Sequence, residues 1–267
     1  MIRMDIGAPS MELEFWQFLI ICPLVFLAGF VDAIAGGGGL ISLPAYLIAG
    51  IPPHNAVATN KMSAAFGTFY ATYRFARSGY VIWGQALPCA VFALAGSFLG
   101  ARGALAVDPF LFKVLLMLII PATAAYILFG GGLKPAKSAL SPKATFAVSC
   151  LLSFGIGLYD GFYGPGTGTF LLLLLTSVAR LDLRHANGNT KVINSMSNLA
   201  ALILFLTNGK VLLFTGCIAA LFGIAGNWAG SRFFSQKGAR MVKPVMLGVL
   251  AVFLAKVAWE VFSTLLR

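Results

Sequence analysis

Charge is what this sequence has least of. Only 10% of its residues are Asp, Glu, Lys or Arg, against roughly 25% in a soluble domain, while 59% are hydrophobic. That excludes an ordinary aqueous surface and makes a lipid bilayer the solvent. Acids are the scarcer sign: 8 Asp and Glu stand against 19 Lys and Arg, a formal charge of +11. No basic tract of the kind that tracks phosphates is present, so nucleic acid is not an expected partner. The basic residues fall mostly between apolar runs, where they orient a membrane protein. Cysteine is sparse as well. Cys22, Cys89, Cys150 and Cys217 all lie inside apolar runs without Cys-x-x-Cys spacing, a pattern that poorly supports a disulfide framework or a cysteine metal centre. Walker, Gly-x-Ser-x-Gly and His-Glu-x-x-His signatures are missing, so neither an ATP-driven engine nor a hydrolase is expected, and no cofactor or metal. Residues 1–14 hold Asp5, Glu12 and Glu14 where a cleavable leader would be basic, so none is expected.

What the sequence does have is long apolar runs. Ten can be marked: Phe15–Ala35, Leu40–Ala49, Ala56–Ala76, Val81–Ala101, Phe110–Phe129, Ala144–Asp160, Thr169–Val178, Ala186–Leu206, Val211–Ser231 and Val242–Phe262. They are continuous rather than alternating, which reads as helices and not barrel strands. The second and seventh are too short for a hydrocarbon core of about 30 Å, which needs about 20 helical residues. They read as half-helices, re-entrant pieces or tilted short spans.

The runs repeat. Asp32 aligns with Asp160, Gly36 with Gly164 and Gly38 with Gly166; further on, Lys61 aligns with Lys191, Gly96 with Gly226, Gly100 with Gly230 and Arg102 with Arg232. The expectation is an all-α polytopic membrane protein of two repeated halves, about five helical segments each, one of them short or broken. Residues 1–130 form the first repeat, 131–143 a cytoplasmic linker and 144–267 the second repeat. If all ten segments cross, the halves have inverted topology. Arg74, Arg77, Lys134, Lys137, Lys143, Arg180, Arg184, Arg232, Lys237, Arg240 and Lys243 then gather on one side, leaving Arg3, Arg102, Lys210 and Arg267 on the other. That bias puts the linker in the cytoplasm. With only eight crossings it disappears.

The candidate chemistry sits at the two interruptions. Asp32 and Asp160 each precede a glycine-rich break, Gly36, Gly37, Gly38 and Gly39 in the first half and Gly164, Gly166, Thr167 and Gly168 in the second. An acid inside an apolar span is costly and so has a partner or a task. Here it positions the loop or carries a proton. Glycine breaks ahead of a helix expose N–H groups and the positive dipole end, which favour an anion. Inverted-repeat transporters build substrate sites this way; close packing through small residues is the plainer reading. On the eighth segment Asn187, Thr190, Lys191, Asn194, Ser195 and Asn198 form one polar stripe at i, i+3, i+4 spacing, echoed by Asn60, Lys61, Ser63 and Thr68 on the third. Such a stripe faces protein or water. Lys61 and Lys191 supply positive charge, either for a substrate or as structural partners of the two aspartates. Arg102 and Arg232 read as interfacial anchors, and His54 and His185 as solvated loop residues.

These motifs, Gly29-Phe-Val-Asp32 through Gly39-Leu-Ile-Ser-Leu-Pro44, Ala58-Thr-Asn-Lys61, Gly157 to Gly168 and Gly188-Asn-Thr-Lys191, resemble the TauE/SafE family of sulfite exporters and related permeases over nearly the whole chain. The resemblance implies a multi-pass permease of the bacterial inner membrane that moves sulfite, organosulfonates or related sulfur oxyanions without ATP. Its expected partners are a small anionic substrate and the lipid bilayer, with a homo-oligomer left open. The loops differ between halves, Gly37 and Gly39 standing against Pro165 and Thr167, so the two sites need not be equivalent. A cation or metal permease using Asp32 and Asp160 as ligands is the alternative, and a membrane enzyme or assembly factor a further one.

Overall fold

The computed structural model describes residues 13–129 and 140–233. The tenth apolar run and most of the expected linker lie outside them. The described residues form helices and no strand: α1 (Phe15–Ala35), α2 (Gly39–Ile48), α3 (Pro53–Arg77), α4 (Trp83–Ala106), α5 (Pro109–Phe129), α6 (Pro142–Phe162), α7 (Thr167–Ser177), α8 (Leu183–Thr207) and α9 (Leu213–Arg232). Among them α1, α4, α6, α8 and α9 are long and apolar enough to cross a membrane. Helix α3 is as long as α8, but its polar stripe lowers its hydropathy; that stripe is buried, while Phe66, Phe69 and Tyr73 are exposed.

Local sequence sets the helix ends. Glu14 and Gln17 close a capping box at the start of α1, and Gly36, at φ 78°, ends it in the left-handed conformation that glycine accepts without strain. Ser141 caps α6 through the Ala144 N–H, with Pro142 opening the helix, and Asp182 caps α8 through the Arg184 and His185 N–H groups. The two short helices start one or two residues earlier than their apolar runs, because Gly38 and Gly166 already serve as caps.

Helix α2 has 10 residues, about 15 Å at 1.5 Å per residue, half the core thickness. It runs back along α1. A side chain at Gly38 would meet the Ala28 carbonyl, and Gln17 near the start of α1 donates to the Ala49 carbonyl just past the end of α2. The chain is thereby returned to the side where α1 began, and α3 starts there.

Small residues bring the long helices together across the halves. A methyl at Gly96 or Gly100 of α4 would land on the Phe154 or Leu158 carbonyl of α6. On α9, Gly226 and Gly230 meet the Phe26 and Phe30 carbonyls of α1 in the same way. Gly157 of α6 lies on Ala93 of α4, and Gly29 of α1 on Gly223 of α9. Each contact maps onto its counterpart through the sequence repeat. Without a hydrophobic drive between helices in lipid, such backbone approach is what binds them.

His54 departs from the sequence expectation. It is buried in the first turn of α3, stacked 4.3 Å from the Phe112 ring with Nε2 3.0 Å from the Ala104 carbonyl. His185 is the exposed one, paired with Asp182.

Candidate functional site

The two interruptions touch. Gly36 and Gly168 lie backbone to backbone, the Thr169 N–H donates to the Gly36 carbonyl at 3.0 Å, and the Thr169 hydroxyl donates to the Ala35 carbonyl at 2.8 Å. Gly39 rests against Pro165 and the Gly164 carbonyl. Gly36, Gly164 and Gly166 all have positive φ, which a side chain would strain.

Beside this junction is a cavity of about 50 Å³, room for a few waters. The first-half break contributes Asp32, Gly36, Gly38 and Gly39 to its wall, and the second-half break Asp160, Gly164, Thr167 and Gly168. Asn60 and Lys61 come from α3, Asn194 and Asn198 from α8. Gly37, Gly166, Thr190, Lys191 and Ser195 do not line it. Thr190 is fully buried and its hydroxyl finds no partner among the described residues; the Ser195 hydroxyl bonds the Lys191 carbonyl and Thr72.

The lysines pair with the aspartates crosswise. Lys61 of the first half lies 2.7 Å from Asp160 of the second, and Lys191 of the second half reaches Asp32 of the first, at 3.4 Å to Oδ2 and closely at its main-chain carbonyl. Both lysines are essentially unexposed. Burial of bare charges in low dielectric is costly, so mutual pairing is what allows them to be there. The four groups together carry no net charge.

The pairs are unequal. Asp160 accepts from Lys61, from the Thr167 hydroxyl at 2.8 Å and from the Ser197 hydroxyl. Asp32 accepts only the long Lys191 contact on Oδ2, and its other carboxylate oxygen receives nothing among the described residues. On the Lys61 side the donors run in order. Lys61 donates to Asn198 Oδ1 at 3.1 Å, and Asn198 Nδ2 donates to Asn194 Oδ1 at 3.3 Å. Asn194 Nδ2 is the free end of that chain, beside the cavity. The N–H groups of Gly37, Gly38, Gly39 and Gly168 also find no acceptor among the described residues.

This architecture has relatives. The family described as "Sulfite exporter TauE/SafE" matches residues 21–257. The chain belongs to the TauE/SafE family. It is 38% identical over 247 residues to "Probable membrane transporter protein ORF9" of a Sinorhizobium species, covering 91% of this chain and 93% of the relative. It is 33% identical over 241 residues to "Probable membrane transporter protein YfcA" of Escherichia coli K12, covering 89% and 88%, and 34% identical over 259 residues to a "Probable membrane transporter protein" of Haemophilus influenzae, covering 96% and 98%. No solved structure matches. As a TauE/SafE protein the chain is a membrane permease, multi-pass in the cell membrane, in a family of membrane transporters.

Three residues of this TauE/SafE cavity escape the sequence reading. Asn227 of α9 and Ser42 of α2 line it, and Ser197 clamps Asp160. Asn227 had a visible signal, an amide within an apolar run opposite Ser97 in the aligned motifs. Ser42 and Ser197 had none beyond polarity.

Proposed function

We propose that this permease is a secondary transporter of a small sulfur oxyanion, sulfite or an organosulfonate, working by alternating access between inverted halves. The observation that carries the reading is the donor-lined end of the cavity: the Lys61 ammonium and the Asn198–Asn194 amide chain line it, beside the Gly164–Gly168 break and its unused Gly168 N–H. Three or more donors around a space of this size suit a tetrahedral or pyramidal oxyanion. Asp160 competes with the anion for Lys61, which keeps the ammonium from being an uncompensated charge when the site is empty. The return of α2 to the entry side of α1 supports counting α2 as a crossing; with α7 counted likewise by the repeat, the loop-charge bias favours a cytoplasmic linker.

A neutral four-group cluster does not repay the desolvation of an extra anion by itself. Entry therefore requires a cation to travel with it or a carboxylate to be neutralised, which makes transport coupled rather than passive.

The test is flux from proteoliposomes loaded with sulfite or with taurine. Wild type releases one of them faster than empty liposomes, and Lys61→Ala, still monodisperse in detergent, falls to background. Wild-type flux in Lys61→Ala would overturn the assignment of the anion to this end of the cavity.

A further inference from the structure

The repeat has diverged around its two aspartates, and the divergence is systematic. Both hydroxyls that saturate Asp160 are replaced by glycine at the aligned first-half positions: Thr167 aligns with Gly39, and Ser197 with Gly67. Asp32 is left with a free carboxylate oxygen beside the cavity. The replacement does not leave the pocket apolar. Asn227, on α9 of the second half, aligns with Ser97 of the first, and it fills the space that Gly29 and Gly67 open; a methyl at either glycine would sit 3.0 Å or less from its Nδ2. That Nδ2 donates to the Gly223 carbonyl at 3.0 Å, which fixes the amide orientation and turns Oδ1 the other way. Oδ1 has no partner among the described residues, and neither has Asn60 Oδ1 on α3. Both residues are more than nine-tenths buried and both line the cavity. Buried acceptors without donors are rare and ask for an occupant.

We infer that Asp32, Asn60 and Asn227 form a sodium site, the coupling-ion site of this permease. The ligand set is all oxygen, one carboxylate and two amide carbonyls, with the Ser42 and Ser63 hydroxyls on the same wall, as a hard cation requires. Lys191 already answers the Asp32 charge, so the ion adds one positive charge to a neutral cluster, and a singly charged oxyanion balances it when the ion is monovalent. Among the described residues no three His, Cys, Asp or Glu gather as a divalent or transition-metal site would need. A proton would occupy Asp32 alone and leave at least one amide oxygen still orphaned; a sodium ion satisfies all three. The cavity thus has a cation end at Asp32, Asn60 and Asn227 and an anion end at Lys61, Asn198 and Asn194. Filling both admits the oxyanion as a neutral pair. The inference rests on the anion reading for its role in transport, but the site itself is testable without any anion.

The experiment is binding of radioactive sodium to detergent-purified full-length protein in choline buffer with no oxyanion present, with sodium-dependent thermal stabilisation as a second readout. Wild type binds sodium saturably and is stabilised by sodium but not by choline. Asn227→Ala and Asn60→Ala weaken sodium binding by about tenfold or more, the scale of losing one ligand to a charged group. Gly67→Ser combined with Asn227→Ser places beside Asp32 the counterparts of Ser197, which bonds Asp160, and of Ser97, which bonds the Ser197 carbonyl; it folds and loses sodium binding. Ser97→Ala, at the first-half position aligned with Asn227, binds as wild type. Absence of saturable sodium binding in wild type, wild-type affinity in both alanine variants, or full oxyanion flux driven by a proton gradient in sodium-free vesicles would each overturn the assignment. If sodium binds but no sulfur oxyanion moves, the site stands and the anion reading falls.

Discussion

Removing the Lys61 ammonium separates what the crossed ion pairs do for stability from what they do for transport. Lys61 Nζ is 2.7 Å from Asp160 and 3.1 Å from Asn198, and the side chain is 1% exposed. Lys61→Met keeps the volume and strands a buried carboxylate. Breaking a buried pair from one side costs about 3–5 kcal/mol. Asp160 keeps the Thr167 and Ser197 hydroxyls, so the expected loss lies at the low end, about 3 kcal/mol. At roughly 2–4 °C per kcal/mol, that lowers the unfolding midpoint by about 10 °C. Adding Asp160→Asn removes the stranded charge, and the two hydroxyls can turn their lone pairs to the new amide. The double variant is expected to recover about 2 kcal/mol and to sit within about 5 °C of wild type. Thermal unfolding of the purified protein, followed by loss of the monodisperse peak, measures all four corners of the cycle. The double variant should be stable yet unable to move the anion. A double variant as unstable as the sum of its parts would refute the buried-pair argument; a stable one with wild-type flux would remove Lys61 from transport.

Two further outcomes follow from the fold. Cys89 and Cys150 face each other 3.7 Å apart across α4 and α6, and the repeat maps them onto Ala219 and Cys22 across α9 and α1. With a protease site placed in the linker, oxidation should hold the cleaved halves together in wild type, release them in Cys150→Ala, and rejoin them in Cys150→Ala with Ala219→Cys; halves that stay apart in the last would break the contact mapping. At the start of α8, burial raises the Asp182 carboxyl, but bonds from His185 and the Arg184 N–H outweigh it and hold the group below its ordinary value. A depressed carboxylate contributes stability above its unfolded value, near pH 4, and loses it as pH falls through the folded value. Asp182→Ala should cost about 1 kcal/mol at neutral pH, as caps do, with the difference from wild type shrinking below pH 4 in thermal unfolding.

Much of the fold was legible because bilayer physics leaves long apolar runs few options. The paired breaks and the polar stripe were equally plain, since Asp32, Asp160, Lys61 and Lys191 are conspicuous in such a sequence. Their crosswise pairing was not. Alignment relates Lys61 to Lys191 but says nothing of which aspartate each reaches, and that depends on α4 and α9 packing into the opposite half. The inequality of Asp32 and Asp160 was hidden for a different reason. It arises from Gly39 and Gly67, whose meaning is a missing hydroxyl, and from Asn227, far away in sequence. His54 was misread because a proline-led helix start looks like a loop until Phe112 stacks on it.

The glycine contacts of α4 lie with α6, and those of α1 with α9, so neither half is self-sufficient. During synthesis α4 leaves the ribosome well before α6 exists, and α1 waits longer still for α9. Until then the grooves at Gly96 and Gly29 have no mate within the nascent chain, and the charged ends of Lys61 and Asp32 have no counterion. The first half must be held by lipid, translocon or chaperone as an unfinished object. Only when the last helices arrive does the molecule knit shut, which makes late truncations far more damaging than their distance from the cavity suggests.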